Sequence, residues 1–265
     1  MNELRPPSRS VTRAGSHAAT WISVIAIASF VGCDFPGKPN AGDRPVSPEN
    51  VLNFQAIYKR NCAGCHGADG ELGGAPPLND PLFRALVPES ELERVVNAGR
   101  TGTPMPAFAH ANGGPLTPAQ TQVLVRGIKS ATVWGEPAPL TKNVPAYLLS
   151  NRASNHASGE YEQIRKTVFA RACAGCHGGH GQGNASAGAI NDPSFLALIS
   201  NQALRRLTIT GRSDLGMPDY AGTDGRDPDF RPLTSREIDE LVDLLASWRT
   251  CGTADGNRER QTARR

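Results

Sequence analysis

Apolar positions along the chain fall into short helical stripes separated by loops rich in glycine and proline. Phe54, Tyr58 and Cys62 are spaced by four, one face of a helix that ends at a cysteine. Leu92, Val95 and Val96 mark a second helix, and Gly99 is placed to stop it. Thr117-Pro118-Ala119-Gln120 reads as a capping box with proline at the first helical position, ahead of Thr121, Leu124, Val125 and Ile128. The same three stripes recur further on. Ile164, Val168 and Phe169 form the first, and Leu204 and Leu207, stopping at Gly211, form the second. The third opens at Thr234-Ser235-Arg236-Glu237 and carries Ile238, Leu241, Val242, Leu245 and Trp248 on one face. Strand-type alternation is sparse, so the pattern predicts an all-α protein.

The recurrence is a duplication. Leu78-Asn79-Asp80-Pro81 returns as Ile190-Asn191-Asp192-Pro193 at an offset of 112 residues, and so do Gly99-Arg100 as Gly211-Arg212 and Met105-Pro106 as Met217-Pro218. Leu116-Thr117 returns as Leu233-Thr234 at 117, because the loop Tyr220 to Pro232 is longer in the second copy. The expected organisation is an export signal over 1–32, an extended tether over 33–50, a first domain over 51–134 and a linker over 135–159. A second domain over 160–250 and an Arg-rich tail over 251–265, read as unstructured, complete it.

Composition narrows the class. Aromatics are 6% of the 265 residues, against 28 glycines and 21 prolines. That is too loop-rich for a large core made of side chains alone, and too weakly charged for disorder. A net charge of +3 gives no electrostatic case for nucleic-acid binding. Arg5, Arg9 and Arg13 precede the uncharged run Trp21 to Val31, which is shorter than a membrane-spanning helix needs. The boundary Phe30-Val31-Gly32-Cys33 resembles a bacterial lipoprotein signal, which implies a lipid on Cys33 and a place on the periplasmic face of the membrane. An uncleaved anchor and simple secretion are the alternatives.

Chemistry concentrates in two pentapeptides. Cys62-Ala63-Gly64-Cys65-His66 and Cys173-Ala174-Gly175-Cys176-His177 match the c-type haem attachment motif. Two thiols one helical turn apart can reach the two vinyl groups of one porphyrin, and the adjacent histidine can bind its iron. Zinc ribbons space their C-x-x-C pairs far more closely than the 111 residues found here, and zinc gives no reason for a histidine after each pair. A thioredoxin-like redox motif would need a βαβ pattern that is not visible.

From these motifs the chain resembles the class I cytochromes c over both repeats. The resemblance implies two tandem domains, each a few short helices wrapped around a covalently bound haem c, with haem thioethers at Cys62, Cys65, Cys173 and Cys176. It implies iron ligation by His66 and His177 on one side and by Met105 and Met217, in Gly-…-Met-Pro segments, on the other. The bland alternative, methionine as core filler, sits poorly with two methionines at nearly the same distance past the two histidines. The family also implies a carbonyl that orients each histidine, at Pro76 in the first domain and near Gly188 in the second. Arg100 and Arg212 are candidates for bonding the haem carboxylates. With both axial positions filled, the expected role is electron transfer between redox proteins, with no small-molecule substrate. The first expectation is a membrane-anchored dihaem carrier serving a terminal oxidase or reductase. The alternative is a permanent subunit of a larger dehydrogenase or oxidase. A haem enzyme such as a dihaem peroxidase is disfavoured, because it needs an axial site that can open; His110, His156 and His180 read as surface residues.

Overall fold

A computed structural model of the protein describes residue 42 and residues 45–150 and 158–262, with side chains as far as Arg249. The export signal, Cys33 and His156 lie outside the described residues, as does the side chain of Cys251. Among the described residues the fold is helical, and the only β pairing is two isolated bridges, Ala109 with Leu116 and Arg212 with Met217.

The first domain follows the apolar stripes. Helix α1 (Phe54–Asn61) starts where the Asn53 side chain accepts the Ala56 amide and ends at Cys62. A single turn, α2 (Ala63–His66), follows at once. Helix α3 (Pro81–Leu86) is capped by Asp80, with Pro81 at its first position. Helix α4 (Glu89–Ala98) stops at Gly99. Helix α5 (Pro118–Lys129) opens with both bonds of the Thr117–Gln120 capping box formed, and α6 (Ala131–Trp134) adds one turn. Helix α5 is the hub, packing on α1, α3 and α4. Ile57, Tyr58, Leu92, Val96, Leu124, Val125 and Ile128 form the core, each fully buried aliphatic contributing about 1.5–3 kcal/mol. A Cβ on Gly127 would lie 2.0 Å from the Phe54 ring, so the α1–α5 approach tolerates glycine alone.

The second domain repeats this order. Helix α7 (Ser158–Ile164) runs through a π-helical turn at Arg165–Phe169 into α8 (Ala170–Ala172) and then α9 (Ala174–His177). Helices α10 (Pro193–Leu198), α11 (Asn201–Thr210) and α12 (Ser235–Thr262) follow. The stripe on α12 is realised: Ile238, Leu241, Val242 and Leu245 are buried.

Three features extend or correct the pattern. The Asn-Asp-Pro landmarks do more than mark the repeat: Asp80 and Asp192 each accept an amide three residues on and start helices that no long apolar stripe announces. The linker is packed where it is described. Arg205, 1% exposed, donates to Ala146 O, to Ser235 and to Asp239, while Gln202 bonds Tyr147 O and the Leu149 amide. The helix of the second domain does not stop at 250; its backbone stays helical through Thr262, across most of the stretch read as an unstructured tail.

The two domains belong to one compact unit, Ser47–Arg265. Helix α3 packs on α11, and Leu82 and Leu86 join the core of the second domain. Arg206 of α11 lies 3.5 Å over the Phe83 ring.

Candidate functional site

Each C-x-x-C-H pentapeptide folds as one helical turn. Cys62 caps α2, Cys65 lies within it and His66 ends it; Cys173, Cys176 and His177 do the same around α9. None of these four cysteines is tied up in a disulfide. Gly67 and Gly178 then take φ of 84° and 75° and turn the chain away from each histidine. The Tyr58 hydroxyl donates to Gly67 O at 2.9 Å and locks that turn in the first domain.

The two imidazoles are aimed in the same way. His66 Nδ1 lies 2.8 Å from Pro76 O, and His177 Nδ1 lies 3.0 Å from Gly188 O. A carbonyl only accepts, so Nδ1 carries the proton and Nε2 keeps a lone pair for a metal. Burial pushes His66 down to about 4, leaving the ring neutral at pH 7. The sites are unequal: His66 is 9% exposed, whereas His177 is half-buried and its bond lies at the surface.

The methionine loops are built alike. Arg100 N donates to Met105 O and Arg212 N to Met217 O, both at 3.0 Å. Gly99 and Gly211 end α4 and α11. They sit at φ 67°, ψ −159° and φ 67°, ψ −162°, a region nearly restricted to glycine. Absence of a side chain matters as much as the dihedral. A Cβ at Gly99 would lie 2.5 Å from Pro106 C and 2.7 Å from Met105 O, and one at Gly211 would lie 2.4 Å from Met217 O. The loops therefore run tight against their helix ends, with Met105 and Met217 half-buried.

In the second domain the longer loop closes over the attachment turn. Arg226 donates to Ala172 O, Asp219 O and Gly222 O, and Phe230 is flanked by the guanidiniums of Arg171 and Arg226. A Cβ on Gly225 would lie 2.8 Å from Cys176 Sγ. Burial pushes the Cys173 thiol up to about 12, as it does Cys62.

Of the spare histidines within the described residues, His180 is exposed, and His110 is exposed with Nε2 3.0 Å from Pro115 O. Arg212 pairs with Asp214 at 2.8 Å and donates to Gly73 O. The pattern reading missed the buried arginines Arg84, Arg205 and Arg206. Arg84, fully buried, donates to Asn79 O, Ser130 O, Trp134 O and Gly135 O and gathers the exit of the first domain. The one sequence cue was an arginine next to apolar neighbours inside a helical stripe.

Paired thiols, a neutral imidazole with Nε2 free and a thioether in a glycine-held loop are a donor set that suits iron in a covalently attached porphyrin. Two helical domains of this construction define a c-type cytochrome. The family model described as cytochrome c oxidase, cbb3-type, subunit III matches residues 49–125 and again 162–245, once on each repeat. The chain belongs to this family, and with membership comes covalently bound haem c. It is 27% identical over 213 residues to the cbb3-type cytochrome c oxidase subunit CcoP of Rubrivivax gelatinosus, covering 79% of this chain and 61% of that protein. It is 30% identical over 145 residues to the cbb3-type cytochrome c oxidase subunit FixP of Sinorhizobium medicae (strain WSM419), covering 51% of this chain and 42% of that one. The chain thus spans less than two thirds of the length of either relative.

Proposed function

We propose that this chain is a dihaem cytochrome that delivers electrons to a terminal oxidase of the cbb3 type, as a bound subunit. The observation that carries the reading is the duplicated constellation: two thiol pairs, two histidines tied through Nδ1 to a carbonyl, and two glycine-held methionine loops. Family membership moves the weight from a free carrier, the first expectation from sequence, to the subunit alternative.

The bound group supplies a one-electron iron couple. The residues of the chain do the rest. Cys62 and Cys65 in the first domain, and Cys173 and Cys176 in the second, would hold the group through thioethers. His66 and His177 present Nε2, with Pro76 O and Gly188 O keeping the proton on Nδ1. Met105 and Met217 would supply a thioether each to the iron; ligated so, it would be closed to substrate, oxygen and peroxide and would have a higher potential than with two nitrogen ligands. Cys33 is the proposed lipid attachment point; among the described residues no helix is long and apolar enough to cross a membrane. Cys33→Ser is expected to move the chain out of the membrane fraction.

The test is to solubilise native membranes mildly and isolate a tagged chain. Stoichiometric co-purification of an oxidase catalytic subunit, with covalent haem staining on the 28.1 kDa chain or its processed form, is expected. Recovery of the chain alone, with oxidase activity left behind, would return the reading to a free carrier. Retention of fewer than two haems after acid–acetone extraction would sink the dihaem reading.

A further inference from the structure

Arg206 is the anomaly of the molecule. It is 5% exposed, and its guanidinium meets only neutral groups: Nη2 donates to Pro77 O, and the plane lies over the Phe83 ring. Its Nε is buried and has no hydrogen-bond partner. A carbonyl and a ring face do not neutralise a full charge, and a buried unpaired cation is costly. Burial pushes Arg206 down to about 10, still charged at pH 7.

Its position gives the cost a purpose. Arg206 belongs to the second domain but touches the first at Pro77, one residue past the carbonyl that orients His66. Arg212, also from the second domain, donates to Gly73 O, and Asp214 accepts the Leu72 amide at 2.9 Å. The second domain thus grips both ends of the loop Leu72 to Pro77, which supports His66. Arg100 of the first domain completes a trio: the three guanidiniums lie within electrostatic reach of the His66 ring, and Arg100 and Arg212 within reach of Arg206. Asp214 answers Arg212. The Asp80 carboxylate, the other acid near Arg206, is engaged by the Phe83 amide at 2.6 Å. An anion is missing from this cluster, and a haem brings two carboxylates with it.

We propose that Arg206, with Arg212 and Arg100, seats the carboxylates of the haem on the first domain, so that the second domain completes the first domain's cofactor pocket. This rests on the reading that a haem is attached at Cys62 and Cys65. It makes the potential of the first haem depend on a residue of the second domain, because a nearby cation disfavours the oxidised, more positive iron centre. The repeat counterpart of Arg206 is Arg94, which is 58% exposed and paired with Glu91. The device therefore exists once, on one haem.

The test uses the matured full-length chain and optical redox titration. Met105→His lowers the potential of the first haem and so marks it. In that background, Arg206→Met is expected to lower the reduction constant of the marked haem about tenfold, or about 59 mV for one electron, and to leave the other haem unchanged within a factor of two. Arg206→Lys keeps the charge and restores most of the potential, yet still shifts the haem carboxylate bands in the resonance Raman spectrum. Arg94→Gln moves neither haem. If Arg206→Met does not mature, Arg212→Gln is read for the same sign on the same haem. The proposal is overturned if the marked haem does not move, if both haems move equally, or if the carboxylate bands are unchanged in every Arg206 variant. A Met105→His variant with two unaltered potentials would refute the ligand reading instead.

Discussion

Gly99→Ala tests how the fold delivers a methionine to the first site. The residue sits at φ 67°, ψ −159°, where an alanine costs about 1–3 kcal/mol in backbone strain. Its Cβ would also lie 2.5 Å from Pro106 C and 2.7 Å from Ala107 N, atoms of main chain that cannot rotate aside. Ordinary contact needs roughly another 1 Å, so the Met105–Ala107 segment must move outward. The first bond to suffer is Arg100 N to Met105 O, worth about 1 kcal/mol. The total is about 2–4 kcal/mol, a large share of the margin of a domain this size, and lowers its Tm by about 8 °C or more. The functional effect should be larger than the loss of stability suggests, since displacement of the Met105 main chain carries the thioether with it. About half of the sulfur-to-iron charge-transfer absorption of the oxidised chain should vanish, and the reduced chain should bind carbon monoxide at one haem. Gly211→Ala should do the same to the other half, its Cβ meeting Met217 O at 2.4 Å. A Gly99→Ala protein with the full charge-transfer band and wild-type melting would refute the claim that this glycine places Met105.

Met105→Ala and Met217→Ala should each remove half of the same band and open one haem to cyanide or carbon monoxide, with the wild type closed to both; carbon monoxide uptake by the wild type would shift the function toward a haem enzyme. Arg205→Met should cost about 1–3 kcal/mol in denaturant titration and expose the Val144–Leu149 stretch to protease, since it strips Ala146 O of both its guanidinium bonds and removes the cation 2.5 Å from Asp239, which keeps its bond from Ser150. At Glu237, burial alone would raise the carboxyl, but the bonds from Arg231 and Thr234 outweigh it and hold it at about 2. Its contribution, on the order of 2 kcal/mol, is present in full above the ordinary 4.5 and is lost as pH falls through 2. Glu237→Gln should flatten that part of the acid-unfolding curve, and an unchanged curve would show that the pair with Arg171 and Arg231 is energetically idle.

Local chemistry makes the helical turns of the candidate site legible in the sequence. The attachment turn needs two thiols and a histidine at fixed helical spacing, so the motif carries its own geometry. The duplication was equally readable, because its landmarks are contiguous residues, whereas the Gly-…-Met-Pro loops were singled out by the resemblance to the class I cytochromes c. The conformation of Gly99 was not readable. The sequence marks a helix stop there, and the Met-Pro segment folding back on the helix end sets the backbone region the stop adopts. The helices after Asn-Asp-Pro were missed because six residues are too few to show a period, although Asp80 and Asp192 were the caps in plain view.

Arg94 and Arg206 draw the line between the two levels. They occupy the same register of the duplicated helix, and no property of either residue or of its helical period tells them apart. One points to water beside Glu91; the other is enclosed because α3 of the first domain happens to pack on α11. The sequence by itself determined the two C-x-x-C-H turns and the number of domains, since each is written in contiguous residues. Only the tertiary structure decided which arginines are buried, which carbonyls they hold and how the second domain reaches the His66 loop. Burial depends on what another part of the chain brings alongside, and a desolvated charge is created by that approach alone.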